Sequence, residues 1–187
     1  MGCAISFESM KQISFHSIYA NLPERFYQVL KKTEFPKLEL LKWNEELSQD
    51  LQIDRSSLTD DDLAQIFSGN ILFSEQKHVA QAYSGHQFGH FNPHLGDGRA
   101  LLLGELKDCF GKFRDVHLKG SGPTQFSRRG DGKANLAAVI REYIVSEAMC
   151  GLKIPASRTL AIISTGEIIR RDTEQPGAIL VRVASSH

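Results

Sequence analysis

The stretch that most constrains the fold of this chain runs from residue 96 to residue 149. An apolar run at residues 100–106 is followed by a short polar turn and by residues 113–119, which alternate in polarity. This pattern predicts a β-hairpin. Asn135 then precedes a run of apolar residues at helical spacing that reaches Met149, so Asn135 is predicted to cap a helix. The sequence therefore predicts an α+β fold in which an antiparallel sheet packs on this helix.

The second strand of the hairpin carries apolar and polar side chains in alternation. Val116 and Leu118 share one face, which we expect to pack in the core. Asp115, His117 and Lys119 share the other face. The Lys119 ammonium group is therefore expected to point away from the core.

Turns that contain glycine lie close to this lysine in the sequence. Gly-Asp-Gly at residues 96–98 precedes the first strand, and Gly-Ser-Gly at residues 120–122 follows Lys119. Because glycine has no Cβ, backbone N–H groups in such turns can come close to phosphate oxygens, and lysine adds a compact positive charge. We expect the stretch to form half of a nucleotide site. The alternative is a surface lysine beside a turn.

The predicted helix carries two glutamates among apolar side chains. It has apolar residues on two sides, so we expect it to be buried on two sides. A carboxylate in such surroundings needs a partner. Lys119 is the candidate partner, and Glu142 is preferred over Glu147 for this pair. The alternative is that both carboxylates reach solvent or pair with Arg141 and Arg158.

Further elements are predicted on both sides of this stretch. Thr59 precedes three aspartates and an apolar face, which is typical of a capped helix start. After the long helix, strands are predicted at residues 159–164, 168–170 and 178–184, with a turn at Thr165-Gly166.

The N-terminal part gives a mixed pattern. Residues 1–21 are expected to form a loose arm, Phe26 to Leu30 a short helix, and Leu40 to Leu47 the start of another. We expect these helices to lie on the flank of the sheet.

Composition excludes few functions. The formal net charge is zero, so bulk charge favours neither a nucleic-acid partner nor a membrane partner. The three cysteines are far apart and form no CxxC motif, which fits reduced thiols in a cytosol-like compartment. No apolar run is long enough to span a bilayer, and a signal-peptide pattern is absent from this sequence.

Three histidines recur at every fourth residue, at His86, His90 and His94. On a helix they would line up as metal ligands. Gly85, Gly89 and Pro93 argue against a helix, so a loop rich in glycine and aromatic residues is expected and metal ligation is the minor alternative.

The order of parts is glycine turn, strand lysine and helix glutamate. Protein-kinase-like enzymes use these parts in this order. The sequence contains neither a Walker A loop nor a glycine fingerprint that opens a helix, so the two commonest nucleotide motifs are excluded.

Several ordered blocks closely resemble the selenoprotein O family, the YdiU proteins. These blocks lie at residues 83–89, 95–99, 117–120, 127–132, 140–142, 146–149 and 176–178. The resemblance implies a kinase-like fold that binds ATP in a reversed orientation and transfers AMP to Ser, Thr or Tyr hydroxyls of proteins. It also implies a magnesium ion, with manganese as a possible substitute.

The resemblance also implies roles for particular residues. By position, the nucleotide-binding residues are Gly96, Gly98, Arg99, Lys119, Asp131, Gly132 and Arg182. Glu142 is implied to position Lys119. Lys133 stands where an arginine is expected, which keeps the charge but loses the planar fork.

Family members are much longer than 187 residues. Their catalytic aspartate and metal-binding asparagine and aspartate lie at positions after His187, so no catalytic base and no metal ligand is assigned to this chain. The sequence is therefore expected to be an N-terminal part that is inactive alone. Residues 1–80 would form a helical extension and residues 81–187 a kinase-like N-lobe.

Two other functions remain open, a nucleotide-binding module without catalysis and a conventional kinase. The expected partners are ATP and proteins with Ser, Thr or Tyr hydroxyls, with no nucleic acid and no membrane. The expected location is the bacterial cytosol.

Overall fold

The computed structural model describes residues 13–31, 33–71 and 76–186. The strands are β1 (Tyr27–Val29), β2 (Glu39–Trp43), β3 (Val79–Gln81), β4 (Gly85–Gln87), β5 (His90–Asn92), β6 (Ala100–Lys107), β7 (Phe113–Lys119), β8 (Ala134–Asn135), β9 (Arg158–Arg170) and β10 (Glu174–Ser185). The α-helices are α1 (Glu45–Asp50), α2 (Asp60–Phe67) and α3 (Leu136–Gly151). Short 3-10 helices cover Tyr19–Asn21 and Glu24–Phe26. Helices and antiparallel strands are mixed, which confirms the predicted α+β class.

Within the described residues, one large antiparallel sheet organises the chain. Its strand order is β1-β3-β6-β7-β10-β9-β2, and β8 pairs with β10. The predicted β6–β7 hairpin lies at its centre and is confirmed. In its turn, Asp108 Oδ1 accepts the backbone N–H groups of Phe110 and Lys112 at 2.9 and 2.8 Å. Strands β4 and β5 form a separate two-stranded ribbon.

The sheet is covered on both faces. The larger core includes Val116, Leu118 and the α2 residue Phe67. On the opposite face, Leu180 packs with Val139 of α3.

The polar face of β7 is therefore not a solvent face along its whole length. Asp115 and His117 lie on it, and both side chains are buried. His117 is directly opposite Leu102, which packs in a small cluster with Ala20 and Tyr27. Because this N-terminal segment covers one end of the face, only the Lys119 end keeps partial exposure among these three polar residues.

Two helix starts are as the sequence predicts. Thr59 and Asp62 form a capping box at the start of α2. Asn135 Oδ1 accepts the backbone N–H of Ala138 at 2.8 Å and caps α3. Both caps depend on residues that lie within one turn, so the local sequence suffices to predict them.

The predicted helices between residues 22 and 47 are wrong for most of their length. Tyr27–Val29 is strand β1, paired with β3, and Glu39–Trp43 is strand β2, paired with β9. A helix begins only after Asn44, whose side chain accepts the N–H of Leu47. Pairing with distant strands overrides a weak local pattern here. The predicted loose arm is also wrong for residues 13–21, in which Ile13 and Ala20 are buried, while residues 1–12 lie outside the described residues.

The predicted turn at residues 165–166 is wrong as well. β9 continues without a break from Arg158 to Arg170 beside β10. Gly166 has φ +69°, and the pairing register shifts between Pro176 and Ala178. The glycine therefore accompanies a local irregularity in a long hairpin rather than a reversal of the chain.

Helix α3 is less buried than its sequence predicts. Val139 is 2% exposed, whereas Ile144 and Val145 remain 60% and 54% exposed in this chain. One side of the helix packs on the sheet and the other side is open.

Candidate functional site

The strand lysine and the helix glutamate meet, as the sequence predicts. Lys119 is the last residue of β7, and its Nζ donates to Oε2 of Glu142 on α3. Arg182, on the neighbouring β10, lies with Nη1 3.9 Å from the other carboxylate oxygen of Glu142. One carboxylate therefore balances two cations at the open edge between sheet and helix.

Glu147 belongs to a different cluster. Arg158 Nη2 donates to Glu147 Oε2 at 2.7 Å, and Asn44 Nδ2 donates to the same oxygen at 2.8 Å. Burial opposes ionisation of Glu147, but the hydrogen bonds from Arg158 and Asn44 outweigh it, so the pKa of this carboxyl lies below its usual value. The predicted alternative, pairing with Arg158, holds for Glu147 and not for Glu142.

Two clefts hold most of the predicted site residues, and the smaller one is lined by the Lys119–Glu142 pair. The larger has a volume of about 740 Å³ and contains the predicted residues Gly96, Gly98, Arg99, Asp131 and Gly132. The smaller has a volume of about 440 Å³ and contains Arg99, Lys119 and Glu142. Arg99 lines both clefts, so the two spaces meet at a guanidinium group.

The glycine turn at residues 96–98 packs on the ring and backbone of Phe126. Gly96 has φ +56°, and a Cβ there would lie 2.3 Å from Phe126 Cγ. A Cβ on Gly98 would lie 2.9 Å from the Phe126 carbonyl oxygen. Glycine is thus required at both positions by packing inside the protein. Close approach to phosphate stays a prediction.

Gly132 is required for a similar reason. It has φ +68°, and a Cβ there would lie 1.9 Å from the carbonyl oxygen of Gly122. The N–H of Gly122 donates to the carbonyl of Gly132 at 3.2 Å, and the backbones of Ser121 and Lys133 form an isolated antiparallel β-bridge. The glycine turn after Lys119 is therefore joined to the loop that forms the far wall of the larger cleft.

Tyr83 and Asp97 form a polar pair that the sequence analysis missed. Tyr83 lines the larger cleft, and its hydroxyl donates to Asp97 Oδ1 at 3.2 Å. Burial raises the pKa of Tyr83 to about 12, and the Asp97 charge adds to this rise, whereas the Arg182 charge opposes it. Asp97 Oδ2 also accepts the N–H of Gln81 at 3.0 Å. Tyr83 and Asp97 lie in two of the blocks that resemble the selenoprotein O family, residues 83–89 and 95–99, and this was the one signal in the sequence that pointed to them.

Asp131 is held by an arginine that the sequence analysis also missed. Arg171 Nη1 and Nη2 donate to the two carboxylate oxygens of Asp131 at 2.8 and 2.9 Å. These hydrogen bonds lower the pKa of Asp131. Lys133 pairs with Glu167, so its ammonium group has a partner outside the predicted phosphate contacts.

Comparison with known proteins identifies the family of this chain. Residues 9–187 match the family described as Protein adenylyltransferase SelO. The chain belongs to the SelO family. The matched region includes the sequence blocks described above and both residues of the Lys119–Glu142 pair, so the family that the blocks resemble is confirmed.

Curated relatives in this family are bacterial proteins named protein nucleotidyltransferase YdiU. The protein of Agrobacterium fabrum is 51% identical over 175 residues, which is 94% of this chain and 36% of the relative. The protein of Nitrobacter winogradskyi is 49% identical over 185 residues, 99% of this chain and 37% of the relative. The protein of Rhizobium etli is 51% identical over 174 residues, which is 93% of this chain and 35% of the relative. The chain thus spans about a third of the length of the curated relatives it matches.

The three histidines at every fourth residue of this SelO-family chain do not lie on a helix. His86 lies on β4 and His90 on β5, and the His86 ring packs edge-on against Phe91 at 5.5 Å. Within residues 13–31, 33–71 and 76–186, His, Cys, Asp and Glu side chains form no group of three suited to a metal ion. In the same residues, no helix has both the length and the apolar character needed to cross a membrane.

Proposed function

We propose that this chain is the nucleotide-binding part of a protein adenylyltransferase, which transfers AMP from ATP to Ser, Thr or Tyr hydroxyls of proteins. The observation that carries the proposal is the Lys119–Glu142 pair, which lines the smaller cleft together with Arg99 and has Arg182 beside Glu142. Membership of a family described as protein adenylyltransferase supports it.

We propose a kinase-like N-lobe for residues 81–187 and an N-terminal extension for residues 1–80. An antiparallel sheet with a lysine on a central strand, packed on one long helix that carries the partner glutamate, supports this assignment. Strands β1, β2 and β3 begin before residue 81 and share the same sheet, so the extension is not purely helical. The boundary at residue 80 stays a prediction.

The cations of the site suit a polyphosphate. Lys119 is a compact charge held in place by Glu142, and two guanidinium groups lie on the segments that flank β7, Arg99 immediately before β6 and Arg182 on β10. A hydrogen-bonded carboxylate keeps the ammonium group oriented while its remaining protons stay available to phosphate oxygens. The donor set therefore fits ATP.

In the proposed transfer, a protein hydroxyl oxygen bonds to the α-phosphorus of ATP and the bond to the β-phosphate oxygen breaks. The hydroxyl proton leaves to a general base, a role to which no residue of this chain is assigned. Negative charge builds up on the departing pyrophosphate, and we expect Lys119, Arg99 and Arg182 to stabilise it. Prepositioned charges reduce the barrier because they need no reorganisation during the reaction.

A divalent cation, Mg²⁺ or Mn²⁺, is expected to accompany ATP and to neutralise part of its phosphate charge. The described residues contain no group of three candidate ligands. We assign no metal ligand to this chain and no step to the metal.

We also propose the bacterial cytosol as the location, with ATP and protein substrates as partners and neither nucleic acid nor membrane. The zero net charge favours neither a nucleic-acid partner nor a membrane partner. The bacterial relatives and the free thiols of Cys109 and Cys150 support the compartment.

Labelled ATP tests the proposal and separates it from its two alternatives. The intact protein is incubated with a mixture of bacterial proteins and ATP labelled on either the α- or the γ-phosphate. Protein-bound label from the α-position, and none from the γ-position, is the expected result. Label from the γ-position indicates a conventional kinase, and ATP binding without either transfer indicates a non-catalytic module.

A further inference from the structure

The end of the long β9–β10 hairpin reaches the loop that forms one wall of the larger cleft. Arg171 immediately follows β9, and its N–H donates to the Thr173 carbonyl at 3.0 Å, which closes the hairpin turn. From there the guanidinium group of Arg171 extends to Asp131. The two segments are 40 residues apart in sequence, so this contact depends on the tertiary fold.

Arg171 makes a fork rather than a single contact. It engages both carboxylate oxygens of Asp131 at 2.8 and 2.9 Å, and Nη2 also donates to the Lys133 carbonyl at 3.3 Å. Asp131 Oδ1 accepts the N–H of Lys133 at 3.0 Å. A planar fork of this kind fixes both the direction and the distance of a carboxylate.

A second ion pair joins the same segments two residues further on. Lys133 Nζ donates to Glu167 on β9, and these side chains are 31% and 18% exposed. Residues 131–133 are therefore held at both ends of the segment by side chains of one hairpin. We call these two ion pairs, Asp131–Arg171 and Lys133–Glu167, the hairpin clasp.

We propose that Arg171 is a positioning residue for the nucleotide, and that the hairpin clasp sets the shape of the cleft wall at residues 130–133. The inference rests on the proposed function. Asp131 is implied to contact the nucleotide, yet both its oxygens already accept hydrogen bonds from Arg171. Arg171 therefore acts through Asp131, whose carboxylate accepts the N–H of Lys133 and so orders the loop that presents Gly132 to the cleft.

The test compares three variants of the intact protein. Arg171→Ala removes the fork, Arg171→Lys keeps the charge without the fork, and Arg170→Ala is the matched control. Arg170 is the preceding residue, is highly exposed and pairs with Glu174 at 3.4 Å, so its loss removes the same charge without touching Asp131. ATP affinity is measured by calorimetry, and backbone order by hydrogen exchange of the Lys133 amide.

The expected result is roughly tenfold weaker ATP binding in Arg171→Ala, a value within the range of coupling between contacting residues. Arg171→Lys should fall between this variant and the wild type, and Arg170→Ala should match the wild type. The Lys133 amide should exchange faster in Arg171→Ala without nucleotide. Asp131→Ala and the double variant with Arg171→Ala should bind ATP equally weakly, since the arginine acts through the carboxylate.

Other results overturn the inference. Equal ATP affinity of the wild type and Arg171→Ala rejects it and leaves the proposed function intact. Additive losses in the double variant also reject it, because Arg171 would then contact the nucleotide independently. Failure of the wild-type protein to bind ATP rejects the proposed function itself, and the nucleotide-positioning role with it. Unchanged exchange at Lys133 rejects the ordering role of the clasp.

Discussion

The two glutamates of α3 differ in their surroundings, although only five residues separate them. Glu147 is held by Arg158, Asn44 and the backbone N–H of Thr159, and Arg158 also lies 3.6 Å from Asp50. Glu142 meets Lys119 and Arg182 beside the smaller cleft. The first carboxylate completes a network within the protein, whereas the second leaves cations with unused hydrogen-bonding capacity. The comparison separates a structural ion pair from a candidate functional one.

The largest effect is expected at the Lys119–Glu142 pair, which we call the open end because it lies beside a cleft. Lys119→Ala should lower AMP transfer by about a hundredfold or more, because a charge that stabilises the leaving group is lost. The stability should fall by less than about 1 kcal/mol, as for other partly exposed pairs. Transfer of α-label and thermal unfolding measure the two effects. Lys107→Ala is the control, since Lys107 lies at the far end of β6 over Phe113. Transfer at the wild-type rate would contradict the assignment of Lys119.

The Glu147–Arg158 pair, which we call the closed end, should show the reverse pattern, with a large loss of stability and little loss of ATP binding. Glu147→Ala leaves the Arg158 charge poorly compensated inside the protein, and we expect a loss of about 2 kcal/mol in the free energy of unfolding. ATP affinity should change little at a temperature where the variant is folded. Urea denaturation and calorimetric titration test this pair of outcomes. A variant that is as stable as the wild type but binds no ATP would reverse the roles of the two ends.

A smaller change at the open end sharpens the comparison. Glu142→Gln keeps the shape of the side chain but removes the charge that orients Lys119 and balances Arg182. We expect roughly fivefold to tenfold weaker ATP binding, because the lysine is less well oriented. Glu147→Gln serves as the control on the same helix. Stronger ATP binding by Glu142→Gln would mean that the carboxylate competes with phosphate instead of preparing the site.

The smallest effect is a pH dependence that belongs to the closed end. The folded-state pKa of Glu147 lies below its usual value of 4.5, so its stabilising contribution is complete above pH 4.5 and is lost as the pH falls through the folded-state pKa. Glu147→Gln should therefore flatten the decline of stability below about pH 4.5. Unfolding free energies measured by urea titration at pH 3 to 7, relative to the wild type, give the difference. An unchanged slope would show that Glu147 has an ordinary pKa.

Local signals explain what could be predicted. Thr59 and Asn135 act within one helical turn, and the β6–β7 hairpin has a short turn closed by Asp108, so each can be read from adjacent residues. The Lys119–Glu142 pair was expected but not fixed by the sequence: strand alternation indicated that Lys119 points away from the core, and Glu142 was preferred over Glu147 as its partner.

Distant pairing explains the errors. Residues 27–29 and 39–43 lack a strong local pattern and become strands only because β3 and β9 offer edges to pair with. The burial of Asp115 follows from coverage by the N-terminal segment, in which the N–H groups of Ile18 and Tyr19 donate to Glu105. Nothing in the adjacent sequence signals such contacts.

The sequence by itself determined the α+β class, the central hairpin and the long helix with its cap. These follow from short-range geometry, in which residue spacing fixes the direction of a side chain. Only the tertiary structure decided that Glu147 belongs to Arg158, that Gly96 and Gly98 are needed beside Phe126, and that Arg171 holds Asp131. Those contacts join segments that the chain brings together over tens of residues, and the physical requirement for them exists only once the sheet has formed.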